Sequence, residues 1–297
     1  MPIKPPAHPS ADLDATQKQR EFIFTAEDFE RVRKLIHERA GISLAPIKRD
    51  MVYSRLARRL RALNLNSFSS YLDFLLSPRG ENEWELFVNS LTTNLTSFFR
   101  EAHHFDILSR YLGEWPQRPL RIWCSAASTG EEPYSLAITA CEAFGNVTPP
   151  VEIVASDIDT SVLSTARQGV YPLDRVERLS PERLHHFFLK GTGTQSGMVR
   201  VRPELQKLID FTRVNLLDGH YPVRGPFDAL FCRNVMIYFD KPTQYGILKK
   251  FAPLLKPDGL LFAGHSESFL HAADLFRSLG RTVYERADKP VRSQRLT

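Results

Sequence analysis

Residues 124–135, CSAASTGEEPYS, combine small side chains with two adjacent glutamates. They follow an apolar run, LRIW at 120–123, and precede a helical pattern with Pro133 in its first turn. A strand, a loop of small residues and a helix form the turn at which α/β proteins commonly bind nucleotides. The helix N-terminus of such a turn attracts phosphate, but Glu131 and Glu132 would repel it. The two carboxylates suit a cationic ligand, or they serve only to complement the helix dipole.

A phosphate-free nucleoside that carries positive charge meets these requirements. S-adenosylmethionine needs an acid for its ammonium group, a donor for its carboxylate and an acid for its ribose hydroxyls. Asp157 follows a second strand-like run, VEIVAS at 151–156, where a carboxylate can accept hydrogen bonds from ribose hydroxyls. Alternatively, Asp157 and Asp159 both cap the next helix. We predict that Asp157 binds the ligand and that Asp159 or Thr160 is the cap.

The elements that must position these residues change in kind along the chain. From Leu120 onward, short apolar runs at 151–156, 208–215, 227–232 and 259–264 are mostly followed by helical patterns. This alternation predicts a parallel sheet with helices on both faces. The predicted fold class is therefore α/β, a doubly wound Rossmann-like domain.

Residues 172–206 depart from this alternation. They contain close glycines and a Val-Arg-Val-Arg alternation, which together predict a small antiparallel β hairpin inserted into the α/β domain.

The first third of the chain has only helical patterns. Thr25 precedes AEDFERVRKLIHERAG, with Asp28 as its capping partner and Gly41 as the stop. Three more short helices complete a small all-helical domain. A further helix, predicted from about Ser97 to Tyr111, leads to a proline-containing junction.

These patterns predict five consecutive segments. They are a disordered, proline-rich lead-in (1–20), the helical domain (21–93), a linker helix and junction (94–119), the α/β domain (120–286, with the insert at 172–206) and a tail (287–297).

Composition narrows the class of protein. With 42% hydrophobic and 25% charged residues and no long uncharged apolar segment, the chain is expected to be globular and not inserted into a membrane. Its three cysteines, Cys124, Cys141 and Cys232, are too few and too scattered for a disulfide framework or a zinc site. We expect buried reduced thiols, no metal and a cytoplasmic location.

Positive charge is concentrated in one predicted helix. Residues 47–62 carry six basic residues against Asp50, an excess of five that equals the net charge of the whole chain, +5. One face of this helix is apolar and the other is rich in arginine, which indicates an acidic partner whose association weakens as salt rises. The alternative is a charged face that is only solvated.

Five motifs, in order across both domains, resemble the CheR family of chemotaxis receptor methyltransferases from about residue 22 to 286. They are LTTNLTSFFRE (91–101), CSAASTGEEPYS (124–135), ASDIDTSVLSTA (155–166), FDALFCRNVMIYFD (227–240) and LKPDGLLFAGHSES (255–268). The resemblance implies transfer of a methyl group from S-adenosylmethionine to glutamate side chains of methyl-accepting chemotaxis receptors. The products are glutamyl methyl esters and S-adenosylhomocysteine.

The resemblance also implies site residues. Cofactor contacts fall to Asn94, Thr96, Arg100, Glu131, Asp157, Asn215, Leu216, Arg233 and Asn234, and catalytic roles to Arg100 and Tyr238. Arg55, Arg58, Arg59 and Arg61 correspond to the surface that receives the acidic methylation helices. The sequence GTG at 191–193 resembles an element that binds a C-terminal receptor pentapeptide. This resemblance implicates Gly191, Gly193, Gly197 and Arg200. Whether Arg100 binds cofactor or substrate, and whether Tyr238 orients the carboxylate or flanks the sulfonium, stays open.

Methyl transfer to a glutamate carboxylate does not require a strong general base. A glutamate carboxylate, with a pKa of about 4.3, is already a nucleophile at neutral pH, so positioning and desolvation should dominate. Two other hypotheses remain: a nucleic-acid methyltransferase, motivated by the isoelectric point of about 9.1, and a non-catalytic scaffold that binds receptor tails. We expect no nucleic-acid partner, a monomer, and recruitment to membrane receptor clusters.

Overall fold

A computed structural model describes residues 20–115 and 119–289. The chain divides into two compact units between Leu91 and Thr92. Residues 1–19 of the predicted lead-in and 290–297 of the predicted tail lie outside the described residues. In the described ranges, every helix is too short or too polar to cross a membrane.

The first unit is helical, as predicted. Its α-helices are α1 (Ala26–Ala40), α2 (Arg49–Ala62), α3 (Phe68–Leu76) and α4 (Glu83–Leu91). Thr25 and Asp28 form the predicted capping box, with the Asp28 N–H donating to Thr25 Oγ1 at 3.0 Å and the Thr25 N–H donating to Asp28 Oδ2 at 3.0 Å. Gly41 ends α1 in the left-handed conformation, with φ of 70°.

A hydrophobic core explains why these short helices are stable together. Helix α1 buries an apolar face that includes Phe29, Val32, Leu35 and Ile36. Phe24 and Phe68 pack against each other in a tilted arrangement, with ring centroids 4.3 Å apart. Helices this short gain most of their stability from such packing rather than from intrinsic propensity.

The second unit alternates strands and helices. Its strands are β1 (Leu120–Cys124), β2 (Val151–Asp157), β3 (Val170–Pro172), β4 (Phe188–Lys190), β5 (Met198–Val201), β6 (Ile209–Arg213), β7 (Phe227–Cys232), β8 (Leu255–Ala263), β9 (Phe276–Gly280) and β10 (Val283–Arg286). Its α-helices are α5 (His103–Glu114), α6 (Glu131–Phe144), α7 (Thr160–Gln168), α8 (Pro181–Phe187), α9 (Pro203–Gln206) and α10 (Lys241–Phe251).

The main sheet has seven strands in the order β6-β2-β1-β7-β8-β10-β9. The first five are mutually parallel, which confirms the predicted doubly wound α/β fold. Strand β7 is buried along its whole length, as expected for a parallel strand covered on both faces. On one face, Phe231 and Phe262 stack with centroids 4.2 Å apart, and on the other Trp123 packs against Phe251.

The insert is a sheet of three strands, so the predicted hairpin was incomplete. Strand β5 lies between β3 and β4 and pairs antiparallel with both. Strand β3 begins at Val170, two residues before the predicted start of the insert. Its three residues carry too little alternation to be recognised as a strand in the sequence.

The linker helix also differs from its prediction. Helix α5 begins at His103 rather than near Ser97, and residues 98–102 form turns. Phe99 and Glu101 have φ values of 52° and 58°, which are incompatible with a right-handed helix. The motif around Asn94 and Arg100 therefore lies in a shaped loop.

Candidate functional site

Three neighbouring parallel strands end at the same edge of the main sheet. The order β2-β1-β7 brings together the segments that follow Asp157, Cys124 and Cys232. Ligands of open α/β sheets bind beyond the carboxyl ends of the strands. The sequence-predicted acids and the RN pair at 233–234 therefore converge on one edge, as the motif positions require.

The loop after β1 is held by both neighbouring strands. The Ser125 N–H donates to the Phe231 carbonyl at 2.9 Å, and the Ala127 N–H donates to the Ser156 carbonyl at 2.8 Å. Gly130 has φ of 101°, and a Cβ there would lie 2.7 Å from the Tyr171 hydroxyl. One glycine suffices for this turn because close approach is needed only at that position.

Asp157 is placed as a nucleoside-binding acid should be. It ends β2, is 9% exposed, and accepts hydrogen bonds from the Ser128 N–H (2.8 Å) and the Asp159 N–H (3.0 Å). Burial raises the pKa of Asp157 to about 6 in spite of these bonds. A carboxylate has about four acceptor sites, so these two bonds leave capacity to accept from a ligand hydroxyl. Asp159 caps α7 through the Ser161 N–H at 2.9 Å, as predicted.

Because burial raises the pKa of Asp157 to about 6, we expect cofactor affinity to depend on pH. In the predicted role of Asp157, only the ionised carboxylate would accept bonds from both ribose hydroxyls. Lowering the pH from 7.5 to 5 leaves about one tenth of the free protein ionised, so the dissociation constant of S-adenosylhomocysteine should rise about tenfold. Calorimetric titration at pH 5, 6 and 7.5 measures this. A flat profile between pH 7.5 and 5 would contradict the assignment.

Asn94 is tied to the same acids. Its side-chain amide donates to Asp159 Oδ2 at 2.8 Å, and its carbonyl accepts from Ser128 Oγ at 2.9 Å. The loop that begins at Thr92 is thus fixed to the edge of the sheet from which Asp157 projects. Contact between Asn94 and the cofactor stays a prediction.

Glu131, the first residue of α6, has a partner that the sequence did not reveal. It is fully buried, accepts from Thr129 Oγ1 at 2.6 Å and forms an ion pair with Arg175. The same guanidinium donates to the Thr96 carbonyl at 3.1 Å. Arg175 belongs to the insert and no recognised motif contains it, so only the fold brings it to this acid.

Arg233 is enclosed by acids. Its side chain has no exposed surface; Nη1 lies 2.6 Å from Glu132 Oε2 and Nη2 lies 3.2 Å from Glu101 Oε2. Burial raises the pKa of Glu132, against the attraction of Arg233. Burial would also raise the pKa of Glu101, but Arg233, His265 and Asn234 lower it to about 2. Arg233 therefore organises the site's interior, and its direct contact with a cofactor stays a prediction.

The segment after β7 also contacts Glu101, one of the two acids that pair with Arg233. Asn234 adopts a left-handed conformation with φ of 57°, and its side-chain amide donates to Glu101 Oε1 at 3.2 Å. Residues Met236–Tyr238 form a 3₁₀ helix that leaves Tyr238 half-buried. Arg100, also half-buried, donates through Nη1 to the Leu95 carbonyl at 2.9 Å. The catalytic roles of Arg100 and Tyr238 stay predictions.

Asn215 and Leu216 follow β6, which lies next to β2 in the sheet. The side-chain oxygen of Asn215 accepts from the Leu217 N–H at 3.1 Å, which folds the loop back on itself. Leu216 is buried, and its carbonyl accepts from the Tyr221 hydroxyl at 2.7 Å. The loop that carries these two residues is thus fixed beside the end of β2, and their contact with the cofactor stays a prediction.

The predicted receptor-binding arginines belong to the helical unit. Arg59 forms a two-bond ion pair with buried Glu83, both at 2.8 Å, and Arg61 pairs with Glu21 at 2.6 Å. Arg55 donates to the Ser90 carbonyl at 3.3 Å. Their role toward a receptor stays a prediction; Arg58 is exposed on the same helix.

The predicted tail-binding residues lie in the insert. The Gly191 N–H donates to the Met198 carbonyl at 2.9 Å, and a Cβ on Gly191 would lie 2.0 Å from the Gln195 carbonyl oxygen. Gly193 and Gly197 have positive φ, 58° and 85°. Arg200 is exposed on β5. The glycines shape the tight connection from β4 to β5, and peptide binding stays a prediction.

Asp157, at the end of β2, suits the ribose of a cationic nucleoside. Glu131 and Glu132, at the start of α6, suit its ammonium group. Cationic nucleosides are the class of ligand that methyltransferases use. Residues 94–285 match the family described as "CheR methyltransferase, SAM binding domain". Residues 27–92 match "CheR methyltransferase, all-alpha domain". The chain belongs to the CheR methyltransferase family, and its cofactor is S-adenosylmethionine.

Relatives of this chain share nearly its whole length. "Chemotaxis protein methyltransferase 2" of Pseudomonas aeruginosa is 56% identical over 90% of this chain and 96% of its own length. "Chemotaxis protein methyltransferase" of Salmonella typhimurium is 56% identical over 86% and 88% of the two chains. The Escherichia coli protein of that name is 55% identical over 86% and 89%.

Proposed function

We propose that this protein transfers a methyl group from S-adenosylmethionine to glutamate side chains of chemotaxis receptors and forms glutamyl methyl esters. The observation that carries the proposal is the match across both domains to proteins named chemotaxis protein methyltransferases, 56% identical over as much as 90% of this chain. The arrangement of acids at the sheet edge supports it.

The chain's residues have distinct tasks in this reaction. Asp157 accepts from the ribose hydroxyls, Glu131 faces the ammonium and Arg100 binds a carboxylate. When bound, the cofactor supplies an electrophilic methyl group on a positively charged sulfur. The substrate glutamate is ionised at neutral pH, because its pKa is about 4.3, so no base must remove a proton. Tyr238 orients the incoming carboxylate in line with the sulfur–methyl bond, and positioning supplies the rate enhancement.

The receptor is held by two further surfaces. The arginine-rich face of α2, with Arg58 exposed, attracts acidic methylation helices, and the insert around Gly191 and Arg200 receives a C-terminal peptide. Charge attraction of this kind mainly accelerates association and weakens as salt rises. The enzyme acts as a monomer in the cytoplasm, at receptor clusters.

We expect tritium from labelled cofactor to enter receptor membranes and to be released by mild alkali as volatile methanol, because glutamyl esters hydrolyse under these conditions. Receptor in which the accepting glutamates are replaced by alanine is the matched control, and it should remain unlabelled. Alkali-stable label, or label on added RNA or DNA in place of receptor, would contradict the proposal. Cofactor binding without any turnover would indicate a scaffold instead.

A further inference from the structure

Glu267 is a buried carboxylate that lies outside the residues discussed above. It follows β8 in the sequence GHSES and is 5% exposed. Its oxygens accept three backbone N–H groups: Asn234 at 3.0 Å, Met236 at 2.8 Å and Gly264 at 2.5 Å. Burying a carboxylate is costly unless it is well hydrogen-bonded, so these three bonds are needed to retain it.

The bonds fix the N–H groups at the start of the segment after β7, while Gln244 of α10 donates to the Met236 and Phe239 carbonyls at 2.9 and 3.0 Å. Asn234 has a left-handed backbone, a conformation that asparagine adopts more readily than most residues other than glycine. Gly264 permits the close approach, since a Cβ there would lie 2.4 Å from Asn234 Nδ2. Glu267 Oε2 joins the Asn234 and Gly264 N–H groups, and Oε1 holds the start of the 3₁₀ helix that ends at Tyr238.

Asn234 is held from a second side. Glu101 Oε1 accepts from its side-chain amide at 3.2 Å. Two carboxylates from separate segments therefore set its backbone and its side chain independently. Such an arrangement leaves Asn234 with little freedom, as a residue that must contact a ligand accurately requires.

We propose that Glu267 is a positioning residue for methyl transfer: it holds Asn234 and the turn that carries Tyr238 in the geometry of the reaction. The proposal rests on the proposed function, in which Asn234 contacts the cofactor and Tyr238 lies near the reacting centre. Glu267 acts through backbone N–H groups and does not touch the substrate itself.

Glu267→Gln tests this proposal with nearly unchanged shape. An amide offers one accepting oxygen, so its NH₂ group must face either the Met236 N–H or the pair from Asn234 and Gly264. We expect the segment to shift and kcat for receptor methylation to fall about a hundredfold, the effect of a displacement of about 1 Å. The dissociation constant of S-adenosylhomocysteine should rise less than about tenfold, because Asp157 is untouched.

Asp228→Asn is the matched control. Asp228 is 2% exposed and lies near the start of β7, at the other end of the strand from Asn234. It accepts from the Arg121 N–H at 2.8 Å and pairs with Lys256 at 2.8 Å. This variant also loses a buried carboxylate and should lower the melting temperature, yet kcat should stay within about twofold.

Hydrogen–deuterium exchange provides a readout that needs no receptor. Glu267→Gln should accelerate exchange of the Asn234 and Met236 amides, whereas Asp228→Asn should leave them protected. The proposal is overturned if Glu267→Gln keeps kcat within about threefold, or if both variants lower kcat equally. If the wild type binds S-adenosylhomocysteine but methylates no receptor, faster exchange with weaker binding in Glu267→Gln still supports positioning, and only the proposed substrate is wrong.

Discussion

We expect that replacing Asp157 with asparagine will weaken the binding of S-adenosylhomocysteine about a hundredfold. Hydrogen bonds to a charged acceptor contribute about 1.5–3 kcal/mol each, and in the proposed function two ribose hydroxyls would lose such a partner. The new amide also directs an NH₂ group at the Ser128 or Asp159 N–H, which both donate to Asp157 in the native protein. Affinity should therefore fall for two reasons: the ribose hydroxyls lose a charged acceptor, and the loop that contains Ser128 is displaced.

Isothermal calorimetry at pH 7.5 measures this loss directly. Glu152→Gln is the control, because Glu152 lies on the same strand, is exposed and forms only a surface ion pair with Arg121 at 3.3 Å. Affinity of the control should match the wild type. An Asp157→Asn protein that binds within about threefold of the wild type would remove Asp157 from the cofactor site.

Replacing Arg233 with methionine should lower the free energy of unfolding of the methyltransferase unit by about 3–5 kcal/mol. Removing one partner of a buried ion pair leaves an uncompensated charge, which costs far more than the intact pair contributes. Here a single guanidinium serves two acids, Glu132 at 2.6 Å and Glu101 at 3.2 Å. Methionine fills similar space, so the lost charge rather than a cavity dominates the effect.

The pH dependence of unfolding identifies this cause. Without Arg233, burial keeps the pKa of Glu132 above its unfolded value of about 4.3. Such a group lowers stability as pH rises from its unfolded pKa to its folded pKa, so the gap in stability between wild type and variant should widen as pH rises above about 4.3. Urea unfolding at several pH values measures the gap.

Adding Glu132→Gln to Arg233→Met should recover part of the lost stability, since it removes the stranded charge. No recovery in the double variant, together with a gap that is independent of pH, would show that the arginine stabilises the fold by packing alone.

Patterns with a local cause were predictable from the sequence. The capping box at Thr25 and the buried strand at 227–232 depend on residues close in the chain, and both appear where predicted. The acids at Glu131 and Asp157 were placed correctly because strand–loop–helix order alone puts them at one edge of the sheet.

Features that depend on distant partners were not predictable. Arg175 meets Glu131 only because the insert folds back over α6. Glu267 has its role through backbone N–H groups of a segment about 30 residues earlier, and side-chain identity carries no signal of that. Helix α5 starts late because Phe99 and Glu101 take left-handed conformations, which their residue types disfavour.

The final strand of the methyltransferase unit has a consequence for how the protein is made. Strand β10 lies between β8 and β9 and pairs antiparallel with both. On the ribosome, the sheet therefore cannot close until Val283–Arg286 have left the exit tunnel. Until then β8 presents an open edge to neighbouring nascent chains, and a truncation before Val283 would leave that edge permanently available for aggregation.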